Sequence, residues 1–384
     1  MKKKVLIYLA SLLLLGACSD NNVITNVDEE LNHSNAHRSN VRSIDEVVEL
    51  ANLMETKSRS AKDYDIEVIT SNTVTPMSRS GNNDTLLYFV SNAEHPLVIS
   101  ADERCYPYFA ILDNATDSLS KLFADSENED IATRIISQML PNSEIYQQML
   151  KTPVGIDNDG HGARWDNIIV KTVTPKVKVE WSQSHPFNKY CPAGCPAGCV
   201  AIAGAQACTV TRHISSFNGN NLDWEKIVGV KNSIDALMYN NQYVTNSIAR
   251  FISDLGFAIG MNYSPSGSGA KISNLIKKLF SNSSSITYTK DKKKIESTLS
   301  DYASGVVIVG SYRKKETGET VGHCYIIDGF YKYESGMAMM HVNMGNGANY
   351  NGYYLENFST PTFIEDAPIS YPYDWEFHCI HAIN

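Results

Sequence analysis

Residues 191–208, "CPAGCPAGCVAIAGAQAC", hold four cysteines and no charged side chain, in a chain of which 20% is charged. A stretch this apolar has to be buried. From Cys199 onward its small side chains predict a helix that other elements approach closely on most faces. A cysteine opening such a helix sits among unpaired backbone N–H groups at the positive end of the helix dipole. That setting favours thiolate and raises nucleophilicity near neutral pH. The same residue type also serves as buried packing, as a disulfide partner or as a metal ligand. Structural zinc sites pair two short-spaced couples across a longer loop. Cys191, Cys195 and Cys199 are followed by no second couple and no nearby histidine pair, so no metal is expected. The chain has eight cysteines. With Cys18 set aside seven remain, an odd number, so at least one thiol stays free if every bridge is internal.

A length of 384 residues fits two domains, each able to bury a core, and 43% hydrophobic residues is a globular value. The formal charge of -9 and pI near 5.6 repel a phosphate backbone. The one basic cluster, "KDKKK" at 290–294, reads as a solvated loop or helix end, so nucleic acid is not an expected partner. The amino terminus combines "MKKK", an apolar run from Val5 to Leu15 and "LGAC". Together these read as a secretory signal, and the run is too short for a permanent span. "LGAC" resembles the lipobox of bacterial lipoproteins, which implies a lipoprotein signal over 1–18 in which cleavage falls just before Cys18 and Cys18 is lipidated as the new first residue. The expected location is therefore the cell envelope, at an outer membrane or cell surface, with release of a mature form outside the cell.

Residues 19–40 are polar and Asn-rich, as a flexible tether would be. "SIDEVVELANLM" carries a capping box in Ser43 and Glu46 and a helical apolar period. "IEVIT", "TLLYFVSN" and "PLVISAD" read as strands, the last two joined by a turn at "AEH". Residues 115–152 read as helical, with "IATRIISQML" the clearest amphipathic piece, and a polar stretch at 155–162 marks a domain boundary. Beyond the cysteine segment come helices and then β-branched and aromatic runs, "GVVIVGSY", "HCYIIDGFYKY", "AMMHVNM" and "GYYLENF", separated by Gly, Ser and Asn. A helical part followed by antiparallel strands is an α+β arrangement.

A nucleophilic thiolate needs an imidazole from elsewhere in the chain. His323, in "VGHCYIIDGF", opens an apolar strand and is the candidate. Asn343, in "HVNMGNG", is a candidate to accept the imidazole N–H and hold the ring. A hairpin turning at "ESG" puts Asn343 some four residues out of register with His323, so a bulge or strong twist is needed. Gln183, sixteen residues before Cys199, can join the Cys199 backbone N–H in holding a developing oxyanion. His213 reads as a helix-end residue, and His341, His378 and His381 as strand residues.

These pieces resemble the streptopain family of papain-like bacterial cysteine peptidases. The matching motifs are "WSQSHPFN", "GCVAIAGAQ", "MNYSPSGSGA", "VGHCYIIDGF" and "HVNMGNGANYNGYY", in the family's order over most of residues 178–356. "LLYFVSNAEHPLVISADERCYPYFAI" is similar to the family's inhibitory propeptide. The resemblance implies a propeptide domain over 41–160 and a papain-like peptidase domain over 161–384. It makes Cys199 the nucleophile, His323 the general base and acid, Gln183 the oxyanion donor and Asn343 a supporting group. It makes Ser266, Gly267, Ser268 and Gly269 a wall of the cleft, with Met344 beside it. Expected partners are protein or peptide substrates and the chain's own propeptide, with no cofactor. The family usually has tryptophans where this chain has Met344 and Asn346. That departure motivates a competing expectation, a catalytically reduced or silent surface lipoprotein that binds proteins or peptides in the same cleft.

Overall fold

The computed structural model describes residues 40–55, 63–74, 84–114, 118–124, 139–140, 146–147, 149, 168–281, 284–289, 291–314, 320–356 and 374–382. The signal and lipobox, nearly all of the tether, "IATRIISQML" apart from its last two residues, and the 155–162 boundary lie outside the described residues.

The first element is helix α1, Ile44–Met54. Ser43 caps it by accepting the Glu46 N–H, while the Glu46 carboxylate accepts the Ser43 N–H. Both halves of the expected capping box are present. Strands β1 (Ile66–Thr70), β2 (Thr85–Val90), β3 (Leu97–Ser100) and β4 (Tyr108–Leu112) follow as an antiparallel meander. Every residue of β3 and β4 is buried, so these strands read as continuous apolar runs rather than alternating ones.

Strand β5 (Ile169–Val173) leads into the helical part. Helix α2 spans Cys199–Thr211, and all of its residues except Val210 are buried. Small residues permit this. A β-carbon on Gly204 would lie 2.4 Å from the Leu275 side chain and 3.2 Å from that of Leu255. A minimal hairpin, β6 (Ser216–Phe217) and β7 (Asn220–Asn221), precedes helix α3, Gln242–Ala258, which packs on α2. The longer elements that follow are β8 (Ser284–Tyr288), helix α4 (Lys292–Asp301), β9 (Val306–Lys314), β10 (Thr320–Tyr333), β11 (Ala338–Asn343), β12 (Gly352–Leu355) and β13 (Asp374–Ala382). Of the basic run, Lys292, Lys293 and Lys294 open α4, which Asp291 caps.

One antiparallel sheet gathers eleven strands in the order β1-β2-β3-β4-β12-β11-β10-β9-β13-β8, with β5 against β10. Its centre separates two cores, and the period of two along each strand decides which residue enters which. Val307, Val309, Tyr325 and Ile327 face the core shared with α1 and β1–β4. Val306, Ile308, Cys324 and Ile326 face the core shared with α2 and α3. The fold is therefore mixed α+β, as expected, with the amino-terminal strands continuing the carboxy-terminal sheet through the β4–β12 pair.

Candidate active site

Cys199 is the first residue of α2, after Gly198, whose φ of 89° is open to glycine at little cost. A side chain at position 198 would also strike the Met261 thioether at 2.5 Å and come within 3.2 Å of the Ser268 carbonyl oxygen. The backbone approaches that wall closely and delivers the thiol, 7% exposed, to the edge of the buried helix. His323 arrives from β10, where it pairs with Ser311 of β9. The two side chains meet. Burial pushes the Cys199 thiol up, but the His323 charge and hydrogen bond, with the backbone N–H groups of Cys324 and Val200, outweigh it and hold the thiol below its ordinary range. The buried Cys208, on the same helix with no such partner, is pushed far up by desolvation.

The imidazole Nε2 lies 2.9 Å from the backbone carbonyl oxygen of Met344. A carbonyl only accepts, so Nε2 carries the proton and Nδ1 is left to face the sulfur. This replaces the expected bond to Asn343. A bulge between Ile327 and Gly329 sets Ile326 opposite Asn343, three residues from His323. The Asn343 Oδ1 accepts instead from Gln206 Nε2 and the Gly345 N–H, each at 3.0 Å, and its Nδ2 donates to the Val179 carbonyl at 2.9 Å. Asn343 is next to the histidine's support rather than in contact with the ring. Met344 is corrected likewise. It is 1% exposed and belongs to the core, so its carbonyl, not a cleft-facing side chain, is its part in the site.

Gln183 is half-buried, and its backbone carbonyl accepts the Ala197 N–H at 2.9 Å, two residues before Cys199. The segment that carries it is anchored by Trp181, which is wholly buried and donates from Nε1 to the Val230 carbonyl. Ser266, Gly267 and Gly269 are exposed and Ser268 is buried, on a turn closed by two bonds between Asn262 and Gly269. The Ser268 carbonyl against Gly198 brings this turn beside the nucleophile position. The seven described cysteines, Cys105, Cys191, Cys195, Cys199, Cys208, Cys324 and Cys379, are all free and buried.

Three functional neighbours went unread in the sequence: Gln206, Asn351 and His341. Gln206 carried a signal, as the lone amide inside an apolar helix. Asn351 accepts the Met344 N–H at 2.8 Å through Oδ1 and has no such signal in "NGYY". His341, read as a plain strand residue, is clamped between Asp328 and Asp113.

The model of the Peptidase C10 family matches residues 181–354, from Trp181 through the thiol, the imidazole and Asn351. Among solved structures, the chain is similar to a fragment of Prevotella intermedia prointerpain A carrying a cysteine-to-alanine mutation. The identity is 16%, the TM-score 0.54, and the match covers 84% of this chain and 99% of that one. This likeness shows a common fold, mixed α+β with a large antiparallel sheet. The active wild-type interpain A cysteine protease of the same organism aligns at 19% identity over 56% of this chain and 96% of that one, with a TM-score of 0.40. No curated protein matches the chain.

Proposed function

We propose that this chain is a C10-type cysteine endopeptidase, exported, made as a proenzyme and tethered to a membrane through a lipidated Cys18. The observation that carries the proposal is the meeting of Cys199 at a helix start with His323 on the sheet, which lowers the thiol's proton affinity inside a family-matched segment. In the reaction, the Cys199 thiolate attacks a peptide carbonyl. The Cys199 N–H and Gln183 receive the oxyanion. His323 then protonates the leaving amine, and a water deprotonated by the same ring hydrolyses the thioester. The turn from Ser266 to Gly269 forms a wall of the substrate cleft.

Residues 41–160 act as the inhibitory segment. Support for this comes from β4, which pairs with β12, the strand that follows the loop holding His323. Substrates are proteins and peptides, and no cofactor takes part.

The test is a time course under reductant of the wild-type chain beside Cys199→Ala. Loss of the amino-terminal part and onset of casein hydrolysis in the wild type alone support the proposal. If both chains stay intact, and neither is labelled by a thiol-reactive peptide inhibitor after tryptic removal of the first part, Cys199 is structural and the cleft is a binding surface.

A further inference from the structure

Helix α2 is apolar along its length except for Gln206, Thr209 and Thr211, and Gln206 has no exposed surface. A buried primary amide is costly unless its donors and acceptor are satisfied. Here Oε1 accepts the Trp181 N–H at 3.0 Å and Nε2 donates to Asn343 Oδ1 at 3.0 Å. Asn343, 2% exposed, extends the link through the Gly345 N–H and the Val179 carbonyl. The two amides thereby tie together segments that are 25 and 137 residues from Gln206 in sequence.

Each tied segment carries one part of the catalytic centre. Cys199 stands seven residues before Gln206, about two turns or ~10 Å along the same helix. Trp181 leads to Gln183, whose carbonyl holds the Ala197 N–H ahead of the thiol. Asn343 and Gly345 flank Met344, whose carbonyl holds His323. A sub-ångström change in the spacing of α2 and the 343–345 turn passes directly to the distance between sulfur and ring.

We infer that Gln206 is a positioning residue for the peptidase reaction: through Asn343 and the Met344 carbonyl it fixes His323 against Cys199, and through Trp181 it fixes the oxyanion-bearing segment. The inference rests on the Cys199–His323 reading above. Gln206 touches no reacting atom, so its loss leaves substrate contacts in place and acts on the chemical step.

The experiment compares the full chain with Gln206→Met and Gln206→Glu. The methionine matches the shape and removes both bonds. The glutamate keeps an acceptor for the Trp181 N–H and loses the donor to Asn343. Three quantities are measured under reductant: the pH profile of iodoacetamide alkylation at Cys199, read by mass spectrometry of its peptide, kcat and KM on a peptide substrate, and thermal unfolding. For Gln206→Met the alkylation profile moves toward that of an ordinary thiol. Its kcat falls on the order of tenfold to a hundredfold, as expected for a small misplacement of reacting groups, with KM little changed. Gln206→Glu lies between it and the wild type.

A Gln206→Met chain that unfolds at lower temperature yet keeps the wild-type alkylation profile and kcat shows that Gln206 only fills the core, and overturns the inference. If that variant fails to fold, the same readouts on Gln206→Glu decide, and wild-type values there overturn it equally. A wild-type chain whose Cys199 alkylates no faster than Cys191 at neutral pH and hydrolyses nothing removes the Cys–His pair itself, and this role with it.

Discussion

Asp113 Oδ2 lies 2.9 Å from Nε2 of His341, and Asp328 Oδ1 lies 2.6 Å from Nδ1 of the same ring. One buried imidazole therefore joins the end of β4 to the strands β10 and β11. Burial lowers the affinity of this ring for a proton, but the Asp328 charge, hydrogen bonds from the ring to both carboxylates and the Asp113 charge exceed it and raise the imidazole to about 9. The folded value exceeds the unfolded one, near 6.5. The resulting stabilisation is thus complete below pH 6.5 and disappears as pH rises through about 9. It amounts to about 3 kcal/mol. Urea unfolding of the Cys199→Ala chain between pH 6 and pH 9.5 is expected to show this decline, and Asp113→Asn to flatten it by removing one carboxylate. Equal slopes in the two chains would show that Asp113 does not hold the ring in solution.

The seam between β4 and β12 depends on Gly352. A β-carbon there would lie 2.5 Å from the Ile111 carbonyl oxygen and 2.6 Å from the Leu112 Cα, both backbone atoms of β4 that cannot turn aside. The residue also has a φ of 155°. Gly352→Ala is expected to weaken the seam by about 1–3 kcal/mol while leaving the β11–β12 pair. Under the proenzyme reading, conversion to the short form then runs faster than in the wild type. A conversion rate equal to or below the wild type's, measured on gels from the same time course, would mean that the seam does not restrain processing.

Much of this architecture was legible because it follows from local chemistry. The Ser43–Glu46 box, the apolar strands and the small-residue helix each announce themselves within a dozen residues. The local signals at Cys199 and His323 are of the same kind, one at a helix start and one within the first residues of a strand. What stayed hidden depends on register and on long-range polar contacts. The bulge at Ile327–Gly329 shifts the register by one residue and still leaves Asn343 three residues from His323, and the Met344 carbonyl takes the ring N–H instead. Backbone carbonyls have no identity in a sequence, so no pattern of side chains could have named this one. His341 looked like a strand residue because Asp113, its partner, lies 228 residues away.

Arg42 was equally silent in the sequence. Its guanidinium, in a residue 5% exposed, donates to the carbonyls of Ser100, Asp102, Glu103 and Cys105, at 2.8–3.4 Å, and so shapes the turn between β3 and β4. Burial lowers its proton affinity, with nearby acids opposing. Arg42→Met leaves those acceptors without their donor and is expected to cost about 2–4 kcal/mol. The predicted signature is new protease sensitivity between Ser100 and Tyr108. Resistance equal to the wild type's in limited proteolysis would show that the turn holds without the guanidinium.

A hydrogen-bonded path also runs from β4 to the imidazole. The Asp113 N–H donates to the Asn351 carbonyl at 2.8 Å, the Met344 N–H donates to Asn351 Oδ1 at 2.8 Å, and His323 Nε2 donates to the Met344 carbonyl at 2.9 Å. Asn351 is 2% exposed, and its Nδ2 donates to the Gly347 carbonyl at 3.2 Å, so its side chain closes the loop that presents Met344. Asn351→Ala leaves a buried N–H unpaired, at about 1–3 kcal/mol of stability, and frees the carbonyl that holds the ring. Asn351→Asp keeps the acceptor for the Met344 N–H and gives up only the bond to Gly347. If the loop orients His323, kcat falls on the order of tenfold or more in the alanine variant, while the aspartate variant stays closer to the wild type. Equal kcat losses in the two variants would assign the effect to loop stability rather than to the acceptor, since only the alanine removes it.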